Sequence, residues 1–232
     1  MRLSFPDTKH NLPELFGLFV ILILSAVIRF YDLSELTLNW DEAAYYLMAQ
    51  FFNRGYLATI DVMQSAGILG HTPFYCFLLS ISILIQGSSE YAIRGVDALF
   101  GVMNVLMCYI LARKFRGVNA GLIAAFFSAF TVPLVRYSRF ALGYTALAFF
   151  ILLALLLFTY WLKIEDFSVK TVAFDVLLGV VLGIAIMTHP YAFFAFMAIL
   201  LSTPLLSRKN GVRDLSLNLL ALILSAVCTV LT

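Results

Sequence analysis

Leu15-Phe16-Gly17-Leu18-Phe19-Val20-Ile21-Leu22-Ile23-Leu24-Ser25-Ala26-Val27-Ile28-Arg29-Phe30 is the stretch that decides the fold class. It is charge-free up to Arg29. In a bilayer core no water can satisfy the backbone, which leaves a helix or a closed barrel. The run is continuous and longer than the roughly 9–11 residues of a barrel strand, so a helix is the solution. A polar stretch from Met1 to Glu14 precedes it, and no small-residue cleavage site follows. It therefore reads as a retained anchor and not as a signal peptide. Arg29, near its far end, is expected to snorkel to the interface or to pair inside a bundle.

Runs of the same kind recur along the chain. Ala92 to Ala112, Val118 to Val135, Gly143 to Leu162, Val172 to Met187 and Ala192 to Leu206 read as spans, and another begins at Leu215. Of 232 residues, 62% are hydrophobic, with a mean hydropathy of +0.98, whereas soluble domains are about half apolar. The expected fold is an all-α integral membrane protein, one module over residues 1–232 with about seven spans. The chain ends inside an apolar run, which reads as a fragment of a longer protein. A net charge of +2 gives a nucleic-acid partner no support. Cys76, Cys108 and Cys228 sit in apolar segments at no metal-ligand spacing.

Residues 31–91 form a long connection with two amphipathic pieces. In the first, Trp40, Ala44, Leu47 and Phe51 make one apolar stripe at helical spacing. Asn39 caps it, Asp41 and Glu42 occupy its first turn, where the helix dipole favours anions, and Gly55 ends it. In the second, Pro73 to Ile85 is apolar but too short for a full crossing, so residues 73–86 read as a re-entrant or interfacial helix. With that piece not crossing and the N-terminus inside, the cytoplasmic side holds Arg2, Lys9, Arg113, Lys114, Arg116, Lys163, Lys170, Arg208, Lys209 and Arg213. The other side holds Arg29, Arg54, Arg94, Arg136 and Arg139, which satisfies the positive-inside rule. Asp41, His71, Arg136, Arg139 and His189 then gather on the non-cytoplasmic face.

Asp41 and Glu42 stand out because only 12% of the chain is charged. As helix first-turn anions they need no further role. As chemistry, one is a general base shielded by the membrane surface and Trp40, taking a proton from an acceptor hydroxyl. Neighbours on a helix diverge by about 100°, so the two cannot face one atom, and the other is structural or metal-binding. Arg136 and Arg139, three apart, suit one phosphate if a helix continues there, or anchor a helix end to headgroups. His71 reads as an interfacial histidine before a helix-starting proline, or as a substrate contact, and His189-Pro190 as a tight turn or a donor contact. Arg94 and Asp97 share the same spacing and are expected to pair with each other.

Four motifs occur in order: Asn39-Trp40-Asp41-Glu42, His71-Thr72-Pro73-Phe74-Tyr75, the stretch Tyr91 to Gly101 containing Arg94-Gly95-Val96-Asp97-Ala98, and Tyr137-Ser138-Arg139. Together they resemble the GT-C glycosyltransferase superfamily, in its dolichyl-phosphate-mannose protein mannosyltransferase and aminoarabinose transferase branch. The likeness covers about residues 10–205, the N-terminal half of such an enzyme. It implies inverting transfer of a sugar from a polyprenyl-phosphate donor to a hydroxyl on protein, lipid or glycan, at the non-cytoplasmic face of a plasma, inner or ER membrane. By that likeness Asp41 is the base, and Arg136 or Arg139 holds the leaving phosphate. Glu42, His71, Tyr137 and His189 then serve donor or substrate binding. Acidic pairs in this superfamily sometimes bind a divalent cation; Mg²⁺, Mn²⁺ or Ca²⁺ would use Asp41 and Glu42. The sequence departs from the pattern at Thr72, where the second proline is usual, and at Phe140 to Tyr144, which lacks a second acid or basic residue. Two other readings stand beside the transferase: a lipid or solute transporter, and a non-catalytic assembly subunit. Transporters carry polar or broken helices near mid-membrane. Here the spans are largely apolar at their centres, with Asn104 the main exception, and polar groups cluster at one face.

Overall fold

The structure, a computed structural model, describes residues 11–35, 37–55, 72–163, 169–206 and 212–231. Ten helices and no strand occur among the described residues. They are α1 (Leu12–Phe30), α2 (Trp40–Phe52), α3 (Pro73–Gln86), α4 (Glu90–Arg116), α5 (Val118–Phe130), α6 (Val132–Tyr137), α7 (Tyr144–Trp161), α8 (Val169–Thr188), α9 (Ala192–Leu206) and α10 (Val212–Leu231). Among them α1, α4, α7 and α8 are long and apolar enough to cross a membrane, which makes the chain an all-α integral membrane protein. At 14 residues α3 is about 21 Å long, short of a hydrocarbon core of about 30 Å.

The chain forms two compact units. The first comprises residues 1–70 and 75–149, and the second residues 71–74 and 150–232. In the first, α1, α4 and α5 pack together around Leu18, Val105, Tyr109, Ala125 and Ala129. Polar ties close both ends of this trio. At one end the buried Glu14 accepts from Arg113 Nε at 2.5 Å and from the Tyr109 hydroxyl. At the other, Arg29 neither snorkels nor meets a carboxylate. Its Nη1 donates to Ala129 O at 3.0 Å and to Ser25 Oγ at 2.7 Å, and its Nη2 to Ser128 O at 2.9 Å.

Those two carbonyls are orphans for a sequence reason. Pro133 has no N–H to return to Ala129 O, four residues back, and the extended Thr131 before it leaves Ser128 O open as well. The expected single span from Val118 to Val135 is therefore two helices, α5 and α6, broken at the extended Thr131. Arg29 supplies the missing donors.

In the second unit α8 packs closely against α10 and more lightly against α9. The Trp161 indole N–H donates to the buried Asp175.

Candidate functional site

The site is built on the first turn of α2. Asn39 Oδ1 accepts from Glu42 N at 2.9 Å, and Asn39 N donates back to Glu42 Oε2 at 3.2 Å. This reciprocal box satisfies two N–H groups that a helix start leaves open. It also turns Glu42 inward. Glu42 is 0% exposed and Arg94, on α4, is 2% exposed. Arg94 Nε reaches Glu42 Oε1 at 2.8 Å and Nη2 reaches Oε2 at 2.9 Å, a bidentate pair. Arg94 further donates to Leu33 O at 2.7 Å and Thr37 O at 3.2 Å, and Ala141 N donates to Glu42 Oε1 at 3.0 Å. One carboxylate thus fixes α2, α4, the chain before α2 and the loop after α6. Burial pushes the Glu42 carboxyl up, but the Arg94 guanidinium and the two backbone N–H groups outweigh it and hold it below its ordinary value.

Asp41, one residue earlier, is exposed. It lines a hollow of about 220 Å³ with Trp40, Tyr45, Met48, Leu142 and Tyr144. Trp40 is 86% exposed. Tyr45 stands edge-on to Tyr75 at 5.2 Å, and the Tyr75 hydroxyl donates to the buried Asp97. The expected Arg94–Asp97 pair is not formed: Arg94 turns to Glu42 and Asp97 to Tyr75.

Leu142 is shared with a second hollow of about 520 Å³, whose wall includes Asn39, Pro133, Arg136 and Tyr137. Arg136 is exposed, and its guanidinium makes no hydrogen bond or ion pair among the described residues. Arg136 and Arg139 both line a third hollow, of about 240 Å³, with Asp32, Glu35 and Arg94. Arg139 is committed elsewhere. Its Nη1 donates to Ile28 O at 2.8 Å and Tyr31 O at 2.6 Å, and its Nη2 to Asp32 O at 3.3 Å, capping the C-terminus of α1. Tyr137 packs edge-on against Tyr144 at 6.0 Å. The connecting loop can approach this closely because Gly143 adopts φ 75°, and a Cβ there would press on the Tyr75 ring at 3.3 Å.

The structure thus brings Asp41, Glu42, Arg136, Tyr137 and Arg139 into one region and gives each a different position. His71 lies outside the described residues. His189 belongs to the second unit, in the turn between α8 and α9, and is 8% exposed. Its Nδ1 accepts from Tyr191 N at 3.3 Å, its ring packs on Tyr191, and burial lowers its pKa. A divalent cation at the acidic pair would rest on Asp41. The Glu42 oxygens are spent on Arg94, Asn39 and Ala141, so an ion at Asp41 would gain nothing from its neighbour. Among the described residues no three His, Cys, Asp or Glu side chains gather at metal-binding distance. Sequence reading missed Arg94 as the partner of Glu42, although Asn39-x-x-Glu42 carries the spacing of a capping box.

The profile of the family described as dolichyl-phosphate-mannose-protein mannosyltransferase matches residues 70–232. That range takes in Arg94, Arg136, Arg139 and His189 and begins after Asp41. The chain is also similar to YkcB of Bacillus subtilis (strain 168), a protein named as a candidate mannosyltransferase. The two are 33% identical over 141 residues, which is 59% of this chain and 19% of YkcB, so the matched stretch spans about a fifth of that relative's length.

Proposed function

Because the chain belongs to the dolichyl-phosphate-mannose-protein mannosyltransferase family, we propose that it transfers a sugar, with inversion, from a polyprenyl-phosphate donor to an acceptor hydroxyl. The observation that carries this reading is the split of the carboxylate pair. Glu42 is locked as a brace, while Asp41 faces an open hollow beside the exposed Trp40 and Tyr45. In the proposed step the acceptor oxygen bonds to the anomeric carbon, and Asp41 takes its proton. The bond from that carbon to the phosphate oxygen breaks, and the lipid phosphate leaves with the electron pair.

Arg136 receives that charge. Its guanidinium is uncommitted and lies on the hollow that shares Leu142 with the Asp41 hollow. A planar fork of N–H donors matches phosphate oxygens, and stabilising developing charge is commonly the largest catalytic term. Glu42 and Arg94 are positioning residues that hold the first turn of α2. The active face is the non-cytoplasmic one.

The test is Asp41→Asn in the full-length protein, supplied with polyprenyl-phosphate mannose and assayed for transfer. Removing a general base costs roughly 10²–10⁴ in rate. Expected is a loss of that size with unchanged insertion and unfolding temperature. Retained transfer removes Asp41 from the mechanism.

A further inference from the structure

A cavity of about 180 Å³ lies in the first unit, lined by residues that include Arg29, Gly101, Asn104, Tyr137, Tyr144 and Thr145. Two residues of its wall each carry a buried polar atom with no hydrogen-bond partner among the described residues: Arg29 Nε, a donor, and Asn104 Oδ1, an acceptor. Such orphans are rare, because a buried polar group left unpaired loses its hydration without recompense. Arg29 is 1% exposed and cannot swing to solvent, because its other nitrogens are held by Ser25, Ser128 and Ala129. Gly101 keeps the Nε face clear; a Cβ there would sit 2.6 Å from that nitrogen. Asn104 cannot flip to remove its own orphan. Its Nδ2 donates to Thr145 O at 2.9 Å, and the flipped amide would set two acceptors against each other.

The orphan pair defines the chemistry of an occupant. A phosphate oxygen would satisfy Arg29 Nε but would face Asn104 Oδ1 acceptor to acceptor. A hydroxyl suits either, accepting from Arg29 Nε or donating to Asn104 Oδ1. The volume is roughly six times the 30 Å³ share of one liquid water, room for a ring with its hydroxyls. Tyr137 and Tyr144 supply aromatic wall. Position adds to chemistry. Tyr144 also lines the Asp41 hollow, and Tyr137 also lines the Arg136 hollow. A ring seated here adjoins both the proposed base and the proposed phosphate holder, where a transferring sugar has to be.

We propose that the cavity between α1, α4, α6 and the start of α7 seats the donor's sugar ring, with Arg29 and Asn104 reading its hydroxyls. This rests on the transferase reading and assigns it a specificity pocket.

The test uses the full-length protein in lipid nanodiscs and methyl α-D-mannopyranoside as probe, read by saturation-transfer NMR. Glycerol at equal concentration is the small-polyol control. Asn104→Leu removes the acceptor at similar size, and Ala148→Leu fills the cavity without touching a polar group. Expected is binding of the glycoside and not of glycerol, weakened about fivefold to tenfold by Asn104→Leu, the worth of one hydrogen bond. Ala148→Leu abolishes it, and Asp41→Asn leaves it intact. Absence of glycoside binding to the wild type, equal binding of glycerol, or binding unaffected by both cavity variants overturns the proposal. Transfer assays separate the two readings. If Asp41→Asn kills transfer while Asn104→Leu leaves the donor KM unchanged, the sugar pocket falls and the transferase stands.

Discussion

Asp41 and Glu42 are neighbours in sequence with opposite positions in space, and the difference is set by Asn39. Its side chain captures the Glu42 N–H and its own N–H takes the Glu42 carboxylate, so Glu42 is drawn inward while Asp41, about 100° away, looks out. Burying Glu42 is tolerable only because Arg94 meets both its oxygens. Glu42→Gln would take from the buried Arg94 its bidentate anion and leave it Glu90 at 3.8 Å, a loss of about 3 kcal/mol, the low end for a broken buried pair. Thermal unfolding in detergent would show it as a lowered midpoint; an unchanged midpoint would remove Glu42 from the framework. The same carboxyl sets an acid limit. Its folded pKa lies below its unfolded one, because Arg94, Ala141 and Asn39 together outweigh the larger single effect of burial. The stabilisation is therefore complete above the ordinary glutamate range near 4.3 and is lost as pH falls through the folded value. The acid slope of stability should shallow in Glu42→Gln. The presence of an acidic pair and its helix cap was legible in the sequence. Which acid faced inward was not, because the deciding partner, Arg94, stands 52 residues away and follows no local period.

At the scale of helices, two arginines three residues apart do different work. The i, i+3 reasoning assumed a helix through both. Yet α6 ends at Tyr137, and Arg139 falls in the turn, where it closes the C-terminus of α1. Arg136→Gln should raise the donor KM about tenfold or more, as expected for a charge-assisted contact, with unfolding unchanged. Arg139→Gln should instead destabilise by about 1 kcal/mol, the net worth of an ordinary hydrogen bond, because Ile28 O is partly buried while Tyr31 O and Asp32 O can turn to water. Equal KM effects from both variants would contradict this division. Helix ends followed from caps and prolines, and Ala192–Leu206 coincides with its expected span. Helix partners did not follow, because a run that is apolar all round does not say which face meets which neighbour. Gly179-Val180-Val181-Leu182-Gly183 illustrates this. A Cβ at Gly179 would lie 2.6 Å from Leu222 O, and one at Gly183 would lie 2.6 Å from Thr229 Cβ, so α8 and α10 touch nearly backbone to backbone. Small residues serve this purpose in membranes, where apolar area gives helices no reason to associate. Gly183→Leu should separate α8 from α10, seen as faster proteolysis within the second unit, and intact packing would remove this contact from its core.

For the whole molecule, what the sequence carries best is the membrane itself. Length and apolarity identify spans because the bilayer core excludes unsatisfied backbone, a constraint that needs no knowledge of tertiary partners. Orientation rests on a weaker term, the bias of Lys and Arg between loops, and it hinges here on one short helix. If α3, at 14 residues, does not cross, α2 and the loop after α6 share a side, in keeping with their contact through Glu42 and Ala141. That contact fixes the two on one face and leaves open which face of the membrane it is. The proposed non-cytoplasmic placement follows the charge bias, with the basic end of α4 at Arg113, Lys114 and Arg116 on the opposite side. In a background with Cys76, Cys108 and Cys228 replaced, Asn53→Cys at the end of α2 should react with an impermeant maleimide added to intact cells. Arg116→Cys should react only after permeabilisation. The reverse pattern would put Asp41 on the cytoplasmic side, and the donor would then have to present its sugar from there.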